Sequence, residues 1–165
     1  MKTWSKIRDK LENEYLADSL RGHIQYFVTT YTKSHDREGR AAIRFDGEEI
    51  LKSNYFEWAA KSHEFYHQPS DAQTWQEHWE QVILNTENSG AFDQGSFYDA
   101  FAEFDNQSIE ESLNSGRMLV KLFALMDRRV GKRRLLRMRD EMEHENETVK
   151  LFYFIRMNAE GLTTE

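Results

Sequence analysis

At 165 residues, with 39% hydrophobic side chains and one proline, the chain is long enough to bury a full core and too apolar to stay disordered. It contains no cysteine, which excludes disulfides, thiol nucleophiles and thiolate metal sites together and suits a reducing compartment. The formal net charge of −7 disfavours a polyanion as the partner of the whole surface.

Residues 4–16 carry Trp4, Ile7, Leu11, Tyr15 and Leu16 near helical spacing, which predicts a first helix. Ile24, Tyr26, Val28 and Thr30 then alternate with Gln25, Phe27, Thr29 and Tyr31, the period of a strand. A polar turn over 34–39 leads to a second strand over 40–45. Asp46-Gly47 is a strong two-residue hairpin signal, because that turn requires positive φ, and a third strand is expected over 48–51. The remainder reads as helical. One helix covers 55–67 and is stopped by Pro69. A second, capped by Asp71, carries Trp75, Trp79, Val82 and Ile83 on one stripe and ends in a loop over 85–90. A short helix covers 97–104, and Ser108-Ile109-Glu110-Glu111 has the pattern of a capping box. Leu119, Leu122, Phe123, Met126 and Val130 mark a helix running to Gly131. Another is expected over 132–142, and a strongly apolar last one over 148–159, closed by Gly161. The expected architecture is α+β: an N-terminal helix and a three-stranded antiparallel sheet over 1–52, then a helical array over 53–165, in one domain. The aromatic residues, eleven Phe, seven Tyr and four Trp, are expected to fill its core. No apolar run approaches a membrane span, and the charged start at Met1-Lys2-Thr3-Trp4 lacks the apolar region of a signal peptide, so a soluble cytoplasmic protein is expected.

Charge is sorted along the chain. From Ser62 to Gly116 there are eleven acids and no Lys or Arg; from Arg117 to Arg139 there are nine cations and one acid, Asp127. Asp140, Glu141, Glu143, Glu145 and Glu147 then restore the negative sign. The candidate binding site is the basic turn formed by Asp127, Arg128, Arg129, Lys132, Arg133, Arg134 and Arg137. Arginines around a helix-breaking Gly131 can fork onto carboxylate or phosphate, with Asp127 orienting one guanidinium. The plainer reading is that Arg128, Arg129 and Arg134 pair with acids of 62–116 and hold the helices together.

A second candidate is His63-Glu64-Phe65-Tyr66-His67, an H-E-x-x-H string. On a helix it presents two histidines on one face for zinc and a glutamate to activate water, and Glu87, twenty residues past His67, is a conceivable third ligand. Against it stand Pro69, which ends the helix at the second histidine, and the reading of Glu87 as a loop residue. No cofactor is therefore expected, and a zinc hydrolase is the alternative reading. The order helix–strand–strand–strand–helix over 4–67 is also that of the double-stranded-RNA-binding fold. However, the helix at Asn54-Tyr55-Phe56-Glu57 has no basic start, so RNA binding is discounted. Nucleophile-elbow, Walker and dinucleotide motifs are absent, and Ser34-His35-Asp36 reads as turn chemistry rather than a triad.

Five strings in order resemble a family of small uncharacterised bacterial proteins. They are Trp4-Ser5-Lys6-Ile7; Ser34-His35-Asp36-Arg37-Glu38-Gly39-Arg40-Ala41; Asp46-Gly47-Glu48-Glu49-Ile50; Asp127-Arg128-Arg129-Val130-Gly131-Lys132-Arg133; and Phe152-Tyr153 through Arg156 to Ala159-Glu160-Gly161. The resemblance implies bacterial origin and a single-domain unit, and brings no activity, ligand or catalytic residue. The functional expectation is a non-enzymatic protein that binds another protein, in the manner of an immunity protein or antitoxin facing a basic toxin. Neither nucleic acid nor membrane is expected as a partner.

Overall fold

The computed structural model describes residues 2–31 and 38–162; most of the expected 34–39 turn, including Ser34-His35-Asp36, lies outside them. The fold is α+β: an N-terminal helix, a three-stranded antiparallel sheet, then a series of helices. The first helix, α1 (Trp4–Asp9), continues as one wider turn of π-helix over Lys10–Glu14 and buries Ile7 and Leu11. The sheet is a meander in the order β1 (Ile24–Thr30), β2 (Gly39–Phe45), β3 (Glu48–Asn54). Asp46 and Gly47 take φ of 50° and 85°, the mirror-image turn that their sequence requires. Strand β3 runs three residues beyond the expected 48–51. Lys52, Ser53 and Asn54 are weak strand formers, but each pairs across to β2, and pairing outweighs propensity there.

The helices are α2 (Tyr55–Tyr66), α3 (Trp75–Asn88), α4 (Gln94–Asp105), α5 (Ile109–Leu113), α6 (Met118–Leu125), α7 (Lys132–Arg137), α8 (Arg139–Met142) and α9 (Glu147–Ala159). Helix α6 is apolar on all sides, with only Lys121 less than fully buried, as befits a helix enclosed by others. Around it lies one hydrophobic cluster drawn from Ile7 to Met157. Phe123 sits edge-on to Tyr26, Phe97 and Phe104 at centroid distances of 5.6, 5.7 and 5.8 Å, joining sheet, α4 and α6 in one aromatic core. Among the described residues no helix is long and apolar enough to cross a membrane.

Four helix boundaries differ from the sequence reading. Thr74, not Asp71, caps α3, its hydroxyl accepting from the Glu77 amide at 3.1 Å. That helix runs through Asn88 because Asn88 is used twice: its carbonyl oxygen accepts from the Met118 amide and its NH2 donates to the Gly116 carbonyl, both at 2.9 Å. Helix α6 stops at Leu125 instead of reaching Gly131, because the chain turns aside to bond the segment after the first helix. Ala17 N–H donates to Met126 O at 2.9 Å and Arg128 N–H to Tyr15 O at 2.8 Å. The stretch expected as one helix over 132–142 is broken at Met138, three residues past Leu135, whose carbonyl accepts the Tyr153 hydroxyl at 2.5 Å.

Candidate functional site

The basic turn between α6 and α7 rests on two buried groups of opposite charge. Asp127 is fully buried and accepts from the Arg129 backbone N–H at 2.7 Å, Nε at 3.0 Å and Nη2 at 2.8 Å. The same guanidinium lies over the rings of Tyr15 (5.1 Å) and Phe104 (5.7 Å). From α9, the buried Arg156 donates to the carbonyls of Leu125, Asp127 and Val130 at 2.7–2.8 Å, tying the end of α6 to the turn. Burial pulls the Arg156 pKa down, and a bond of 3.0 Å to Glu160 only partly offsets it. Burial pushes Glu160 up, but Ser19 and Arg156 outweigh this and hold its carboxyl below the usual range.

This frame decides which cations face outward. Arg134 leaves the turn to pair with Glu110 of α5, with Nη2–Oε2 at 2.7 Å. Arg129 is held by Asp127 of its own turn. The expectation that Arg128, Arg129 and Arg134 all pair with acids of 62–116 is therefore met by Arg134 alone. Arg128, Lys132, Arg133 and Arg137 are exposed, and no carboxylate among the described residues lies within ion-pair distance of them. Leu136 is exposed beside them, and past Arg139 an apolar groove of about 370 Å³ opens between α8 and α9. Its walls are Met142, Tyr153, Phe154 and Met157, and Arg139, Lys150 and Glu143 stand at its rim.

The H-E-x-x-H residues do not assemble with Glu87. His63 and His67 are neighbours on α2, ring centroids 4.4 Å apart, with His67 already the cap residue. The Glu64 carboxylate lies 3.3 Å from Lys61. Glu87 is helical rather than in a loop, and it is buried against Arg117: Nη2–Oε1 is 2.6 Å, and the Leu119 amide donates to Oε2 at 3.3 Å. Burial pulls Arg117 down, but the Glu87 carboxylate more than compensates and raises it. Among the described residues no group of three or more His, Asp or Glu side chains is placed to hold a metal ion.

What the sequence reading missed is the hairpin of α2 and α3. The composition predicts its aromatic residues in the core, yet α2 fully buries only Ser62, and α3 only Val82, Thr86 and Glu87. Trp75 is 67% exposed and Phe56 64%. Trp75 and Trp79 stack at 6.3 Å, and Tyr66 bridges to Trp79 at 6.4 Å and His78 at 5.2 Å, so the two helices share an aromatic ladder. Around it Glu57, Glu64, Asp71, Glu77 and Glu80 are exposed, with Lys61 as the only Lys or Arg of the two helices. The available signal was the concentration of acids beside those rings, since a core-facing stripe keeps charge to its far side.

A family model matches residues 3–157, nearly the whole chain. The chain belongs to the SF0329 protein family. The family is uncharacterised, and no curated protein or solved structure matches the chain. Two surface features stand out in this family member: an acidic aromatic hairpin, and a framed basic turn beside an apolar groove.

Proposed function

We propose that this protein acts in the cytoplasm by binding a basic partner protein through the α2–α3 hairpin, in the manner of an immunity protein or antitoxin. The observation that carries the reading is the exposure of Trp75 and Phe56 in a setting whose exposed charge is almost entirely acidic. Exposed aromatic clusters mark interaction surfaces, and Trp and Tyr dominate binding hot spots. The surrounding carboxylates steer a basic face toward them and raise its association rate. Without a partner to cover them, exposed aromatic side chains favour aggregation.

The test is the affinity of the purified native partner for wild type and for Trp75→Ala. Loss of a hot-spot tryptophan is expected to weaken binding at least about tenfold, equivalent to about 1.4 kcal/mol. Glu77→Lys with Glu80→Lys is expected to slow association and flatten its salt dependence. A partner that binds all these variants as it binds wild type contradicts the reading. So does stoichiometric zinc in the purified protein that is lost on His67→Ala, which would favour the hydrolase alternative.

A further inference from the structure

We infer that the groove between α8 and α9, with the basic run leading to it, receives the α2–α3 hairpin of a second copy of this chain, head to tail. The inference rests on the reading of the hairpin as a docking element and gives it a further occupant, the locally basic groove of another copy. The groove's apolar walls enclose about 370 Å³, room for an indole ring, and Phe154 at its lip is 58% exposed. Trp75, in the first turn of α3, is the most exposed large hydrophobic residue described, and Glu77 and Glu80 follow it on the same helix.

Charge complementarity selects the pairing. Over 132–142 five cations face two acids, Asp140 and Glu141; Arg134 is committed to Glu110, leaving Lys132, Arg133, Arg137 and Arg139. Lys150 adds a cation across the groove, while Glu143 at the rim and Glu147, 3.5 Å from Lys150, are the nearby acids. The hairpin offers Glu57, Glu64, Asp71, Glu77 and Glu80 against Lys61. A molecule's own hairpin does not fill its groove, since Trp75 is open to solvent. Hairpin and groove are different surfaces, so the contact is heterologous and propagates into a chain or closes as a ring.

Sedimentation velocity of the full chain across micromolar concentrations, at low and physiological salt, tests this. Mass above the monomer is expected, rising with concentration and falling with salt. Trp75→Ala, which spoils the hairpin, and Phe154→Ala, which spoils the groove, should each be monomeric. Both side chains are exposed, and circular dichroism checks that each variant is folded. Mixed together, the two variants should form a 1:1 dimer and nothing larger, because one intact hairpin meets one intact groove. Wild type that stays monomeric throughout overturns the inference, as does assembly that survives either variant or a mixture that yields no dimer. If wild type is monomeric but a basic protein still binds it in a Trp75-dependent way, this inference fails while the docking role of the hairpin stands.

Discussion

Arg156 shows how one side chain can define a surface it never reaches. Three backbone carbonyls and Glu160 accept from it; Asp127 O also receives the Val130 amide and Glu160 the Ser19 hydroxyl, while Arg156 alone ties all four together. Arg156→Ala is expected to cost about 3–5 kcal/mol, because it removes the donor to buried carbonyls and leaves the Glu160 carboxylate with Ser19 but no opposite charge. The urea midpoint measures this, provided the m-value is unchanged. Asp105 makes a second residue-scale prediction. Burial pushes its pKa up, but bonds from Lys2, Tyr15 and Lys10 win and bring it to about 2, against an ordinary value of 3.8. A lowered pKa stabilises the fold only while the carboxylate is ionised. Its contribution is therefore complete above about pH 5 and lost as pH falls toward 2, up to about 2 kcal/mol for a side chain 13% exposed. Asp105→Asn should flatten the stability curve in that window; an unchanged curve contradicts the assignment.

At the scale of elements, the framed turn separates cations that hold the fold from cations that do not. Arg128→Ala with Arg133→Ala is expected to leave stability within about 0.5 kcal/mol. Arg134→Ala should lose about 0.2–1 kcal/mol, less in high salt, because its pair with Glu110 is exposed. Urea denaturation at two salt concentrations distinguishes them. The same turn explains which elements could be read in advance. The Asp46-Gly47 hairpin, the alternation of β1 and the stop after α2 were legible, because local backbone chemistry decides them. The ends of α3 and α6 were not, because Asn88 and Met126 are set by partners about 30 and 110 residues away in sequence. The basic turn was legible as a string, but which arginine faces solvent depended on Asp127 and Arg156 meeting across the fold. The hairpin surface was hidden because aromatic residues at helical spacing look the same whether or not another layer covers them.

For the whole molecule, the sorting of charge is the property that shapes association. A net charge of −7 with acids on both sides of the basic run means that a polyanion approaching it also meets carboxylates, and within a Debye length of about 8 Å the fields partly cancel. No shift of DNA or RNA is expected in a gel at physiological salt. Sub-micromolar, salt-sensitive binding lost on Arg133→Ala with Arg137→Ala would contradict this. The central claim, that the α2–α3 hairpin is where this protein meets another, is tested most directly by photo-cross-linking in living cells. A photoreactive phenylalanine analogue placed at Phe56 keeps the ring where it already stands in solvent. An adduct with a basic protein surface, absent when the analogue is placed at the exposed Arg8 of α1, is the predicted result. Equal labelling from the two positions, or no adduct from Phe56, would contradict it.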